Sequence, residues 1–374
     1  MRVLVVNAGS SSLKLSVLED DDVRLAENLD SPCGRVDEDA VRAVIERGSP
    51  LDAVGHRIVH GGAEFVDAVE VDEGVVRRLE ALTDLAPLHQ PGSLRVLDLV
   101  RRLLPDVAAV ACFDTAFHAR IPPAASTYAL PAEWSTRWAL RRYGFHGLSH
   151  AYAAGRSAEL TGRPVEELRI VTCHLGAGAS LAAVQHGVSV DTTMGFTPLE
   201  GLVMATRSGT VDPGLVLWLE EHVGMPPSEL ATTLESRSGL LGMTGTADMK
   251  AVLEAEAAGD VDAALAVEVY LHRLRAGVAA MAAGMDGLDV LVFTGGVGER
   301  SAPIRERAAD GLGFLGIAVD AEANARATPD IEIGDPDAHV RSLVVEARED
   351  LQIARDVRRV VKANVTGRDG GGVA

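Results

Sequence analysis

Apolar residues run along this chain in short blocks, and many of those blocks end at glycine, serine or asparagine. Residues 2–6 (RVLVV) read as a buried strand and Leu13–Leu18 as a second, with the turn segment NAGSSS between them. Val54–Val59 predicts another strand, closed by the HGG turn at His60–Gly62. From residue 72 to 104 apolar and charged positions recur at helical spacing, interrupted by APLHQPGS at 86–93. Val107–Phe113 is β-rich again and runs into DTAFH.

The layout then repeats. Leu168–Cys173 predicts a strand, HLGAGAS a turn and Leu181–Val184 the next strand, while Asp289–Phe293 runs into TGGVGER and a helix. Two strand–turn–strand units in separate halves predict an α/β protein of two related domains facing a cleft. A length of 374 residues, too great for one ordinary core, agrees with that. The final VTGRDGGGVA is glycine-rich and predicts a disordered tail.

Composition narrows the partners. Hydrophobic residues make up 47% and charged ones 24%, a soluble globular balance. With 35 basic against 54 acidic residues the net charge is −19, and no basic stripe is present. Nucleic acid and anionic membrane are therefore excluded as expected partners. The apolar run before Asn7 is too short for a signal-peptide core, and no later run reaches membrane-spanning length, so a cytoplasmic location is expected. Cys33, Cys112 and Cys173 are scattered without CxxC spacing and read as free thiols in a reducing compartment. Only Lys14, Lys250 and Lys362 are lysines. In a chain whose cations are nearly all arginine, Lys14 and Lys250 stand out as compact point charges, whereas Lys362 falls in the polar C-terminal region.

Phosphate is held by backbone N–H groups that small residues leave accessible, helped by hydroxyls and a cation. The segment from Asn7 to Lys14 supplies all three, and strand alternation puts Ser10, Ser12 and Lys14 on one face. A polar hairpin turn would explain the serines and glycine alone; the lysine tips the reading towards phosphate. HLGAGAS (His174–Ser180) and TGGVGER (Thr294–Arg300) are each unspecific, and neither is a Walker A or GxGxxG pattern. Three glycine-bearing strand ends, two hairpin-like and one helix-opening, together suggest a nucleotide clamped between domains.

These segments resemble the two phosphate motifs and the adenosine motif of the actin-like and sugar-kinase ATPase fold, with its ribonuclease H-like domains. Within that superfamily the chain resembles the acetate kinases along almost its whole length, from MRVLVVNAGSSSLK to EDLQIAR. The landmarks are GHRIVHGG, LAPLH, FDTAFH, YGFHGLSH, HLGAG, DTTMGFTPLEGL, TRSGTVDP and FTGGVGE. The resemblance implies reversible in-line transfer of the ATP γ-phosphoryl group to acetate, giving acetyl phosphate and ADP. It also implies Mg²⁺ (with Mn²⁺ as a substitute) and a homodimer. Its domains would be residues 1–117 with 350–366, then 118–349, with a disordered tail at 367–374.

A carboxylate acceptor is already anionic, so its difficulty is repulsion from the triphosphate rather than the lack of a base. Arg57 in GHRIVHGG and Arg207 in ATRSGT sit in glycine-bearing contexts that suit close anion binding. By resemblance Arg57 binds the acetate carboxylate, while Arg207 and His146 stabilise the transition state. Asp114 falls at the family's proton donor/acceptor position; orienting an arginine or a metal-bound water is an equally good role on physical grounds. Val59, Leu88, Phe145 and Pro198 would surround the acetate methyl group. His89 joins the substrate site by the same resemblance, although a loop-shaping role explains it equally well, and His56 and His60 read as structural.

The nucleotide positions carried over are Ser10, Ser12, Lys14, His174, Leu175, Gly176, Ala177, Gly178, Asp248, Met249, Lys250, Gly296, Val297, Gly298, Glu299 and Arg300. The metal positions fall on Asn7 and Glu349, with Asp350 one residue away. The sequence departs from the family where HLGNG becomes HLGAG at Ala177, where D-F-R becomes Asp248-Met249-Lys250, where Arg300 replaces asparagine, and where APLHNP becomes APLHQP. Propionate kinase is the competing enzyme reading, and a non-catalytic actin-like nucleotide switch the competing reading of another class.

Overall fold

Both strand–turn–strand repeats fold as antiparallel hairpins, and each seeds its own sheet. The structure is a computed structural model that describes residues 1–9, 12–31, 36–87 and 90–369, the side chains of 365–369 excepted. The chain divides into two compact units. The first holds Met1–Ala119, Gly147–Tyr152 and the chain from Arg348; the second holds Arg120–His146 and Ala153–Ala347.

In the first unit β1 (Arg2–Ala8), β2 (Ser12–Glu19), β3 (Asp22–Asp30), β4 (Ala53–Ile58), β5 (Val69–Glu70) and β6 (Ala108–Phe113) form one sheet in the order β3-β2-β1-β4-β6-β5. The β1–β2–β3 meander is antiparallel, β1, β4 and β6 run parallel, and β5 is antiparallel to β6. Val3, Leu4, Val5 and Val6 are all buried, because helices cover both faces of the sheet. On one face Val41, Val44 and Ile45 of helix Glu38–Gly48 and Val96, Leu99 and Val100 of helix Gln90–Leu103 pack on Leu4, Val6, Leu15 and Val54. Helix Glu349–Asp369 lies against the same sheet at Gly55. A Cβ there would stand 2.5 Å from Ile353 Cγ2 and 2.7 Å from Val357 Cγ2, so glycine is what lets the helix approach β4 so closely.

The second unit repeats this topology strand for strand. Its sheet of β7 (Arg169–Leu175), β8 (Ala179–Gln185), β9 (Val188–Thr192), β10 (Val290–Thr294), β11 (Ile331–Glu332) and β12 (Arg341–Val344) has the order β11-β12-β10-β7-β8-β9. Again the first three strands are an antiparallel meander, β7, β10 and β12 are parallel, and the last edge strand is antiparallel. Helix Val261–Ala283 packs on β8 through Gly277, where a Cβ would meet Leu181 Cδ1 at 2.7 Å.

The strands outrun their predicted ends. β1 continues to Ala8 and β7 to Leu175, since Asn7 and His174 still pair across their ladders with Lys14 and Ser180. The helical stretch at 72–104 splits into Glu73–Ala81 and Gln90–Leu103, the second starting inside the predicted interruption. The C-terminal helix includes residues 367–369, where the composition predicts a tail, and 370–374 lie outside the described residues. Cys112 and Cys173 are buried free thiols, and burial pushes both well up from the ordinary thiol range. Cys33 lies outside the described residues. Among the described residues no helix is long and apolar enough to cross a membrane.

Candidate active site

In the first unit the site builds up at the carboxyl ends of three adjacent parallel strands. Asn7 lies near the end of β1, Arg57 near the end of β4, and Asp114 directly after β6. Arg57 stands opposite Cys112 in the ladder, so Asp114, two residues on, shares its face. The Arg57 guanidinium donates to Asp114 through Nε (3.0 Å to Oδ1) and Nη2 (2.6 Å to Oδ2), and through Nη1 to Asn7 Oδ1 at 3.1 Å. Asn7 Nδ2 in turn donates to Glu349 Oε2 at 2.8 Å. Glu349, the first residue of its helix, is the carboxylate beside Asn7, whereas Asp350 takes both of its hydrogen bonds from Arg348. Burial works against the Arg57 charge, but Asp114 and Glu349 outweigh it and hold the guanidinium protonated. Burial also pushes the Asp114 carboxyl above its usual range, against the pull of Arg57. With each oxygen accepting from the guanidinium, Asp114 has the geometry of an anchor for Arg57.

Lys14 stands directly opposite Asn7 on β2, so the two side chains share a face, and Ser12 lies one alternation back along the same strand. Ser10, Leu88 and His89 lie outside the described residues. Gln90 is fully buried and donates from Nε2 to His60 O at 3.2 Å and to Leu79 O at 3.4 Å, a tie between segments that the sequence pattern did not reveal. Val59 is buried in this unit.

In the second unit a histidine and an arginine converge on the β7–β8 hairpin. The turn closes through Gly176 N donating to Gly178 O at 3.0 Å, with Ala177 at its tip. His146 sits in the left-handed region (φ 57°, ψ 23°), uncommon for a residue with a side chain and a frequent mark of a functional position. Its Nδ1 pairs with Ser180 Oγ at 2.9 Å, and its ring lies 4.4 Å from that of His174. A Cβ built on Gly178 would stand 3.2 Å from His146 Nε2 and 3.3 Å from Arg207 Nη1. Both side chains thus reach the same glycine.

The loop bearing Arg207 is pinned to the hairpin by Ala205 N donating to Ala177 O at 3.1 Å. It also needs Gly239 (φ +61°), where a Cβ would stand 2.2 Å from Met204 O. Arg207 contacts Met204 Sδ at 3.8 Å, and burial lowers its pKa from the ordinary arginine value, partly offset by Glu235. Among the described residues Arg207 makes no ion pair; a half-buried guanidinium left so is costly, and an arriving anion would relieve that cost. Phe145 is buried and Pro198 half-buried in this unit.

The TGGVGER segment opens the short helix Gly295–Arg300, which contains Gly296, Val297, Gly298, Glu299 and Arg300. Gly295 (φ +78°) comes within 3.0 Å of the Leu175 backbone, measured from a built Cβ, while a Cβ on Gly296 would meet only open space. The Glu299 carboxylate accepts from Gly295 N at 3.0 Å and Ala347 N at 2.9 Å. Arg305, almost wholly buried, donates to Gly298 O, Glu299 O and Asn324, and so satisfies the carbonyl end of that helix. Asp248 caps helix Met249–Ala257 by accepting from Lys250 N at 3.0 Å, and Met249 is buried. The Lys250 side chain is exposed and lies 3.8 Å from Glu254. Ser180, Arg305, and the pair Arg142 and Glu200 are the supporting residues that motif reading passed over. Arg142 immediately precedes YGFHGLSH, and Glu200 stands within DTTMGFTPLEGL.

A carboxylate-anchored arginine at parallel strand ends, and two donors aimed at a glycine hairpin in a duplicated sheet, define a phosphotransferase of the actin-like ATPase fold. The acetokinase family model matches residues 26–355, and the chain belongs to that family, whose members use a carboxyl group as acceptor. It is 42% identical over 402 residues to the acetate kinase of Thermotoga maritima, covering 97% of this chain and 99% of the relative. The crystal structure of Porphyromonas gingivalis acetate kinase superposes with a TM-score of 0.88 at 36% identity, covering 96% of this chain and 99% of the other. A propionate kinase from Francisella tularensis superposes with the same TM-score at 32% identity, with coverages of 96% and 99%.

Proposed function

We propose that this protein transfers the ATP γ-phosphoryl group reversibly and in line to acetate, giving acetyl phosphate and ADP. The observation that carries this reading is the convergence of His146 and Arg207 on Gly178, which suits a phosphoryl group resting on the hairpin N–H groups. There the two side chains neutralise charge on the equatorial oxygens during transfer, a contribution of about two to three orders of magnitude in rate per donor. Arg57 binds the acceptor carboxylate, and Asp114 orients Arg57 instead of taking a proton, because the acceptor arrives ionised. Val59, Leu88, Phe145 and Pro198 are assigned to the methyl group of the acceptor, and His89 to the same substrate site. Ser10, Ser12, Lys14, the 174–178 hairpin, Asp248 to Lys250 and Gly296 to Arg300 hold the nucleotide.

Asn7 and Glu349 meet through Asn7 Nδ2 and Glu349 Oε2, and each also carries a hard oxygen donor of the kind taken by Mg²⁺, an ion that needs few protein ligands and completes its shell with water and phosphate. Mg²⁺, with Mn²⁺ as a substitute, would offset the phosphate charge there. A homodimer is part of the reading, supported by exposed Leu215, Leu217, Trp218 and Val223 within one short segment. So is a cytoplasmic location, supported by the free thiols, and the absence of nucleic-acid or membrane partners, supported by the net charge of −19.

Acetate against propionate is the finest part of the claim, since an apolar wall separates them by only about 1–3 kcal/mol per methylene. Turnover with acetate, propionate and butyrate tests it: kcat/KM is expected to be highest for acetate, and a higher value for propionate overturns that assignment.

A further inference from the structure

The two chain segments that carry Phe145, His146 and Pro198 in the second unit are tied together by backbone hydrogen bonds and by a side-chain network centred on Glu200. Glu200 accepts from Arg142 Nη2 at 2.7 Å on Oε1 and from the Tyr128 hydroxyl at 2.6 Å on Oε2. Arg142 uses its other terminal nitrogen on three consecutive carbonyls, those of Thr192, Thr193 and Met194, at 3.1–3.2 Å. The Tyr128 hydroxyl, while donating to Glu200, accepts from Phe196 N at 2.9 Å. Tyr143 N and Gly144 N both donate to Gly195 O, and Arg142 N donates to Ser126 O. Gly195 has no room for a side chain: a Cβ would stand 1.7 Å from Glu200 Oε2 and 2.2 Å from the Tyr128 hydroxyl. The carboxylate is therefore the hub on which residues 142–146 and 192–200 are registered against each other.

We propose that Glu200 is a positioning residue for the acceptor: through Arg142 and Tyr128 it fixes the distance between the Phe145–His146 segment and the Pro198 segment, and thereby which carboxylic acid fits. The proposal rests on the acceptor reading above, which places Phe145 and Pro198 against the methyl group. Glu200 touches neither substrate nor reacting atoms. It acts by holding two walls in register, where small displacements are felt strongly in rate. A carboxylate suits this task, because without it Arg142 Nη2 and the donating hydrogen of Tyr128 would each lose the acceptor they share.

The test compares wild type, Glu200→Ala, Glu200→Gln and Tyr128→Phe, measuring KM for acetate, propionate and ATP together with thermal stability. In Glu200→Ala the acetate KM is expected to rise about tenfold with the ATP KM within about twofold, and the propionate-to-acetate ratio of kcat/KM to rise several-fold. Glu200→Gln can still accept from Arg142 and donate to Tyr128, and is expected to recover most of the wild-type ratio. Tyr128→Phe is expected to move the ratio in the same direction as Glu200→Ala by a smaller step. An active wild type whose ratio is unchanged in Glu200→Ala overturns the proposal, as does a loss of stability with acetate and ATP KM rising alike. A wild type that phosphorylates neither acid overturns the acceptor reading itself, and the proposal with it.

Discussion

Arg57 grips Asp114 with two parallel hydrogen bonds, at 3.0 and 2.6 Å, deep in the first unit where Asp114 is 1% exposed. Such a pair fixes the guanidinium plane before any ligand arrives, and planar anion recognition depends on that plane. The other terminal nitrogen, Nη1, donates to Asn7 Oδ1, which links the arginine to Glu349.

Asp114→Asn separates anchor from base. Losing one partner of a buried pair costs about 3–5 kcal/mol of stability, measurable by urea unfolding. In the surviving folded protein the acetate KM is expected to rise at least about tenfold while the kcat–pH profile keeps its acidic limb. Disappearance of that limb would identify Asp114 as the base.

Gly178→Ala tests the convergence in the second unit. The new methyl group would press on His146 Nε2 and Arg207 Nη1 at 3.2 and 3.3 Å. Since sub-ångström to ångström displacements of positioning groups are costly, kcat is expected to fall about ten- to a hundredfold, with acetate KM little changed. Thermal stability should hardly move, because the hairpin hydrogen bonds do not need the glycine's freedom. An unchanged kcat would remove Gly178 from the phosphoryl site.

His56 gives a pH signature. It is buried on β4, and burial, assisted by Arg101, depresses its pKa to about 3. His60 is depressed by burial to about 4. Between these values and about 6.5 the unfolded chain binds protons that the folded chain refuses, so stability is complete above that range and falls as pH falls through it. Each histidine contributes a slope of up to about 1.4 kcal/mol per pH unit there. His56→Leu should make the pH dependence of the unfolding free energy between 6 and 4 shallower by up to about 1.4 kcal/mol per pH unit; an unaltered slope would mean that His56 is protonated in the fold.

Much of the fold was legible because glycine and hydroxyl residues interrupt apolar runs at the same point in both halves, as NAGSSS and HLGAGAS do. What the pattern missed has a physical cause. Strand ends at Asn7 and His174 are polar residues that keep their ladder hydrogen bonds, so hydrophobicity stops before the strand does. Gln90 opens a helix from inside a Pro- and Gly-bearing segment because its amide is buried against the carbonyls of His60 and Leu79, a long-range contact with no local signature. Glycine-bearing contexts single out Arg57, His146 and Arg207 in the sequence, and the fold sets Arg57 against Asp114 and Asn7 and the other two against Gly178. The supports of the site were not legible: Glu200 meets Arg142 from 58 residues away and Arg305 meets Asn324 from 19, and charged residues in sequence do not announce their partners.

The central claim is phosphoryl transfer to a carboxylate with Arg207 stabilising the transfer. Acyl phosphate trapped as hydroxamate by hydroxylamine, measured with ATP, acetate and Mg²⁺ on wild type and Arg207→Ala, tests it most directly. The account predicts Mg²⁺-dependent acetyl phosphate formation by the wild type, reduced by about two to three orders of magnitude in the variant, with the fold intact. Equal hydroxamate yields from the two proteins would contradict it.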